Sequence, residues 1–141
     1  MPLFTRLTAL CQTLATQTTV PIRIGRPDDA TALFVWPWRL EEDARVRNAP
    51  LPRLPGDDSK LHTPAPVIHF LVMSTTTLDD TTISGLEAAR LALLETPVFE
   101  AGAGRVVVAP APLSANELTD LFTAADIPLR LCLAYTLRSS A

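Results

Sequence analysis

The residues that could do chemistry in this sequence are few, and their spacing argues against most of it. Asp57, Asp58 and His62 stand close enough to offer a metal mixed oxygen and nitrogen donors. They lie in a polar stretch, however, where carboxylates are ordinarily just solvated. His69, the other histidine, sits inside an apolar run and reads as a hydrogen-bonded core histidine. Asp79 and Asp80 resemble a general acid–base pair, but they also stand where a helix needs its N-cap, which explains them at once. Gly102-Ala103-Gly104 lacks the helix start of a phosphate loop. No serine elbow is present, and no cysteine has a base beside it. The chain is expected not to be an enzyme, with no catalytic residue, no metal ligand and no cofactor.

Bulk properties narrow the class. A length of 141 residues suits one domain, residues 1 to 141, able to bury about two thirds of its unfolded surface. Apolar residues make up 48% and charged residues 19%, the balance of a well-cored globular chain. A net charge of -3 argues against a general nucleic-acid partner. No apolar segment reaches the roughly 18 residues of a membrane span, so direct membrane insertion is not expected. No secretory signal pattern opens the sequence. Cys11 and Cys132 lie in apolar stretches and read as small buried hydrophobes, which fits a reduced, cytoplasmic setting.

The elements that must position these groups are organised around residues 64 to 97. Pro64 and Pro66 each bias the preceding residue towards extended geometry. Val67-Ile68-His69-Phe70-Leu71-Val72-Met73 is then an apolar run of strand length that needs cover on both faces. After Ser74-Thr75-Thr76-Thr77, Asp79 or Asp80 caps a helix whose stripe is Ile83, Leu86, Ala89, Leu93 and Leu94. Pro97 ends it.

Upstream, Leu3, Leu7, Leu10, Cys11 and Leu14 mark a first helix, and Ile22-Arg23-Ile24 a short strand. From Ala32 to Leu40 the pattern alternates, with Phe34, Trp36, Trp38 and Leu40 on one face. Pro37 has no N–H for a ladder, so this strand belongs at an edge or a bulge. Its two tryptophans are either core or an anchor for another subunit. Residues 41 to 66 differ in kind: five prolines and nine charged residues in 26 positions, longer than the ~12–15 usual for a loop in a compact domain. They are either a solvated insertion or an arm that orders against a neighbouring subunit. In the second case Arg45, Arg47 and Arg53, with Glu41, Glu42 and Asp43, would supply charge complementarity.

Downstream, Val98-Phe99 is extended, Gly102-Ala103-Gly104 turns, and Arg105 to Ala109 is a β-branched strand. Ser114 and Glu117 form a capping box, with Leu113 and Leu118 as its hydrophobic staple. The last strand alternates Leu129, Leu131, Leu133, Tyr135 and Leu137 with Arg130, Cys132, Ala134, Thr136 and Arg138, the second set facing water or a partner. The order is helix, two strands, arm, strand, helix, strand, helix, strand. That predicts an α+β (mixed α/β) domain: one mostly antiparallel sheet packed with about three helices. The candidate interface residues are Trp36, Trp38, Arg45, Arg47, Arg53, Arg130 and Arg138.

From Pro64 to Arg138 the chain resembles the N-terminal domain of the cap, or tail-terminator, proteins of phage-like contractile injection systems. Three pieces carry the resemblance. One is the proline pair before an apolar strand, Pro64-Ala65-Pro66-Val67-Ile68-His69-Phe70-Leu71. Another is the helix that ends in a proline and a strand, from Gly85 to Phe99. The third is the capped helix from Leu113 to Phe122, followed by Pro128-Leu129-Arg130-Leu131-Cys132-Leu133-Ala134-Tyr135. Arg47-Asn48-Ala49-Pro50 also stands in a matching place, and Phe122 replaces the tryptophan usual in the family's capped helix. The resemblance implies a non-enzymatic structural protein, similar to family members that form a hexamer, whose ring sits on the last sheath ring and closes the distal end of the inner tube. It implies sheath and inner-tube proteins as partners, and assembly in the cytoplasm into a phage-tail-like particle. Another tail-completion or sheath-binding protein, or a small non-catalytic ligand-binding α+β domain, are the alternatives.

Overall fold

A computed structural model describes residues 3–28, 31–42, 66–74, 79–102 and 104–140. Helix α1 (Leu3–Ala15) is followed by β1 (Ile22–Ile24), β2 (Leu33–Glu41) and β3 (Val67–Met73). Then come α2 (Asp80–Glu95), the hairpin of β4 (Val98–Ala101) and β5 (Gly104–Pro110), α3 (Ala115–Ala125) and β6 (Cys132–Ser140). The six strands form one sheet in the order β1-β2-β3-β6-β5-β4. Only β1 and β2 pair in parallel; the other pairings are antiparallel. The fold is the expected mixed α+β domain, with one strand more than the linear order suggested, because the 98–110 stretch doubles back at Gly102 (φ +63).

β3 lies inside the sheet, between β2 and β6, and needs cover on both faces as its apolar run implied. Ile68, Phe70 and Val72 point to one face, where α1 and α2 supply Leu7, Leu10, Leu14, Leu86, Ala89 and Leu93. Leu71 and Met73 point to the other, where they meet Phe34 and Phe122 of α3. Phe70 stacks on Tyr135 of β6 with ring centroids 5.6 Å apart, and burial raises the tyrosine's pKa.

The helices start and stop for local reasons. Asp79 caps α2: its carboxylate accepts from the Thr82 N–H at 2.8 Å, while its own N–H donates to the Thr82 hydroxyl at 3.2 Å. The buried stripe of α2 is Thr82, Gly85, Leu86, Ala89, Ala92 and Leu93. Ile83 and Leu94, expected in that stripe, are exposed. They fall one position off the face that packs, because Gly85 brings the helix very close to the 18–20 segment. A Cβ built on Gly85 would lie 2.8 Å from Val20 Cγ2, so the glycine sets which side of α2 can be innermost.

Helix α1 holds an unexpected residue in its buried stripe. Arg6 is completely buried and donates from Nη1 to the Pro66 carbonyl at 2.9 Å, fixing the helix to the entry of β3. It lies one turn before Leu10, on the stripe by spacing alone.

Candidate interaction surface

β2 decides the character of the exposed edge. β1 covers only Leu33 to Val35, through the Leu33 N–H to the Pro21 carbonyl and the Gly25 N–H to the Val35 carbonyl. Leu33 and Val35 therefore turn their backbone groups towards β1. By alternation Pro37 faces the same outer side, so its missing N–H removes no bond to β3. The register then slips between Pro37 and Arg39, leaving Trp38 as an extra residue in a bulge. Both alternatives read from Pro37 are realised together: an edge and a bulge.

The bulge also overturns one expectation. Phe34 and Trp36 share the α3 face, but beyond the bulge the phase reverses. Leu40 pairs with Ile68 and is 55% exposed, not on the face of Phe34 and Trp36.

Trp38 lies beside His69, with ring centroids 5.5 Å apart. One Glu41 carboxylate oxygen meets His69 Nε2 at 3.2 Å and Arg39 Nη2 at 3.1 Å. His69 is thus the hydrogen-bonded, mostly buried histidine expected from its setting. Its partner is an acid two residues past Arg39, brought close by the β2–β3 pairing.

Helix α3 borders this edge. The Ser114 hydroxyl accepts from the Glu117 N–H at 3.1 Å, and Glu117 accepts from the Ser114 N–H at 3.4 Å, completing the box. Asp126 closes the helix in a left-handed conformation (φ 55). Arg26 Nη2 donates to the Asp126 carbonyl at 3.2 Å, tying the β1–β2 connection to the end of α3. Phe122 is the only buried residue of α3. Leu118 and Leu121 of α3, Leu113 before it, and Trp36 and Trp38 of β2 are only partly buried. An open groove of about 380 Å³ runs between Trp38 and α3, lined by Trp38, Arg39, Leu113, Glu117, Asp120 and Leu121.

The other candidate interface residues are scattered. Arg130 precedes β6 rather than lying within it, and is 8% exposed. Its Nη1 donates to the Ser74 carbonyl at 3.4 Å and its Nε to the Pro128 carbonyl at 3.5 Å, so it joins the approach to β6 to the end of β3. The expectation that it faces water on an alternating strand is corrected: regular pairing starts only at Cys132. Cys132 and Ala134 are covered by the α3 cluster as well, so the second face of β6 is not a polar one there. Arg138 is half-buried, opposite Val107 of β5. Arg45, Arg47 and Arg53 lie outside the described residues, as do Asp57, Asp58 and His62. Among the described residues no group of three potential ligands could hold a metal ion. Nor is any helix among them long and apolar enough to cross a membrane. Cys11 and Cys132 pack on opposite faces of the sheet as free thiols, and burial pushes the first up to about 11.

A second concavity, of about 580 Å³, opens where α2 ends near the exit of β5, among Leu93, Leu94, Pro97, Pro110 and Tyr135. Sequence reasoning missed both grooves, since each is made by elements distant in the chain. It also missed Arg6, although the helical spacing placed that residue on the buried stripe.

Residues 5–140 match the family model of the Pvc16 N-terminal domain. No curated protein sequence matches the chain. Several solved chains share the fold, among them the following two. One is the sheath/tube terminator, in the extended state, of PVC, an extracellular contractile injection system, with a TM-score of 0.72 and 18% identity. The other is the tube-terminating cap of the anti-feeding prophage, with the same score and identity. Each alignment covers all of this chain but only 57% and 56% of the respective neighbour, so the chain spans little more than half their length.

Proposed function

The chain belongs to the Pvc16 N-terminal domain family, and on that premise we propose that it is a structural cap, or tail terminator, of a contractile injection system or phage-like tail. Copies form a ring, a hexamer in this reading, that closes the distal end of the inner tube and binds the last sheath ring. The protein works without catalysis, is assembled in the cytoplasm, and becomes part of a phage-tail-like particle. The observation that carries the reading is the family match over residues 5–140, joined to a whole-chain likeness to a sheath/tube terminator and a tube-terminating cap.

The physics of termination supports it. A subunit that ends a self-propagating polymer must present one complementary face and another that accepts no further subunit. β2 beyond Val35 is an edge of the second kind. Pro37, the bulge at Trp38 and the charged Arg39 and Glu41 all oppose the addition of another strand. The α3 side, with Trp36 and Trp38 half-covered, is an edge of the first kind. Arg138, and Arg45, Arg47 and Arg53 from the stretch between β2 and β3, are assigned supporting roles in register and association. Arg130 is engaged within its own chain.

Light scattering and electron microscopy of the purified full chain test the proposal, together with co-sedimentation on sheath–tube particles. Rings and particle association are expected. A monomer at every concentration that also fails to sediment with particles would overturn it. A second reading, a small ligand-binding domain, rests on the apolar 580 Å³ groove. It requires no ring and no particle.

A further inference from the structure

The groove between Trp38 and α3 has a chemistry of its own. It is lined by one indole, Trp38, by Leu113 and Leu121, and by the charged Glu117, Asp120 and Arg39. Arg39 is already engaged by Glu41 at 3.1 Å. Glu117 and Asp120 are the only charged side chains of α3, which has no basic residue. Standing three positions apart on a helix, they lie on the same face. Asp120 forms no ion pair among the described residues, although Arg39 lines the same groove. An indole, two partly buried leucines and two carboxylates lining one open groove complement one kind of side chain: a long alkyl stem with a positive end. The stem would lie along Leu121 and the indole. The charge would meet the electron-rich ring face and the two carboxylates.

We propose that this groove binds a basic segment of another protein, with an arginine or lysine side chain laid on Trp38 and its charge held between Glu117 and Asp120. The site needs no cofactor and no movement of the sheet. Arginine suits it better than lysine, because a planar guanidinium can stack on the indole and fork to a carboxylate together. The inference rests on the capping proposal only for where such a segment comes from, a sheath, tube or other particle protein.

The test uses the full chain and a capped tetra-arginine peptide, with tetra-glutamate as its counterpart. Trp36 and Trp38 are the only tryptophans, so indole emission reports on this region. A saturable shift with tetra-arginine, and none with tetra-glutamate, is expected. The double variant Glu117→Gln/Asp120→Asn should weaken binding roughly tenfold while keeping the capping box, which glutamine also satisfies. Asp80→Asn/Glu95→Gln removes the same charge from α2 and should leave binding unchanged. Equal weakening by both double variants would overturn the proposal, since net charge alone would then explain the affinity. So would the absence of any shift. The two readings fail separately. Should wild type and the α3 variant sediment equally with particles, the groove inference falls and the cap stands. A chain that binds the peptide in the groove but never joins particles would leave the groove and remove the cap.

Discussion

Phe70 and Leu71 are neighbours in β3, both with no exposed surface, and they point into two differently finished halves of the protein. Phe70 enters the cluster roofed by α1 and α2, which contains eighteen buried residues among those described. Leu71 enters the cluster under α3, which contains five among the described residues, ringed by eight that are only partly buried, against six around the first. The first face is the more fully covered of the two among the described residues, although Leu93 and Tyr135 still border the 580 Å³ groove. The second leaves two tryptophans and three leucines half-covered, the condition in which a further protein surface can still displace water. Among the described residues, cover is divided unequally between the two sides of one sheet.

That division can be broken by mutation. The largest effect is expected from Phe70→Ala, about 3–5 kcal/mol, because a filled site with a stacked partner cannot collapse easily. Leu71→Ala should cost about 2–3 kcal/mol, the low end for a buried leucine, since the thinner α3 layer can settle into the gap. Urea unfolding of both variants measures the difference, and a larger loss at Leu71 would end the distinction between the faces.

Gly85→Ala sharpens the same contrast. Adding a methyl against Val20 should cost about 1–3 kcal/mol from overpacking, partly offset by up to about 1 kcal/mol of helix propensity. A net loss of about 1 kcal/mol in the same assay is expected, whereas a stabilised variant would mean that the first face has slack.

Ser114→Ala removes the cap of the lightly held helix and should cost about 0.5–2 kcal/mol. Ring formation should decline only as far as stability does. Its loss at unchanged stability would make Ser114 a contact residue.

The smallest effect is one of pH. Hydrogen bonds from Thr82 hold the Asp79 carboxyl below its ordinary value. The charged form is therefore favoured by folding. Its contribution is present above the unfolded pKa, near 4, and fades as pH falls through the lower folded value. In Asp79→Asn, thermal midpoints should fall less steeply below about pH 4 than in the wild type. Parallel curves would show that the cap does not depend on charge.

Much of this was legible in the chain. The core strand, the capping box at Ser114 and an N-cap at Asp79 or Asp80 follow from residues adjacent in sequence, where local chemistry decides the outcome; that Thr82 completes a second box at Asp79 was not read. The resemblance to cap proteins rested on those same segments. What could not be read required knowledge of a distant partner. Leu40 changes sides because one extra residue at Trp38 shifts the phase of β2 against β3. Arg130 is buried because Ser74, far away in sequence, offers it a carbonyl. Ile83 and Leu94 are exposed because Gly85 rotates α2 onto Val20. The groove at α3 is made from a bulge and a helix that the linear pattern treats separately.

The seam between β3 and β6 also bears on how the protein is made. Ile68 pairs with Leu137, so two halves of the sheet, each with its own shorter-range pairings, are joined through the last strand. Such long-range closure slows folding. During synthesis β3 emerges well before its partner, with an apolar edge awaiting pairing until Cys132 to Ser140 leave the ribosome. A fragment that stops short of Cys132 should therefore aggregate rather than persist as a slightly shortened folded chain, and truncated products would be removed from the soluble pool by their own unpaired strand.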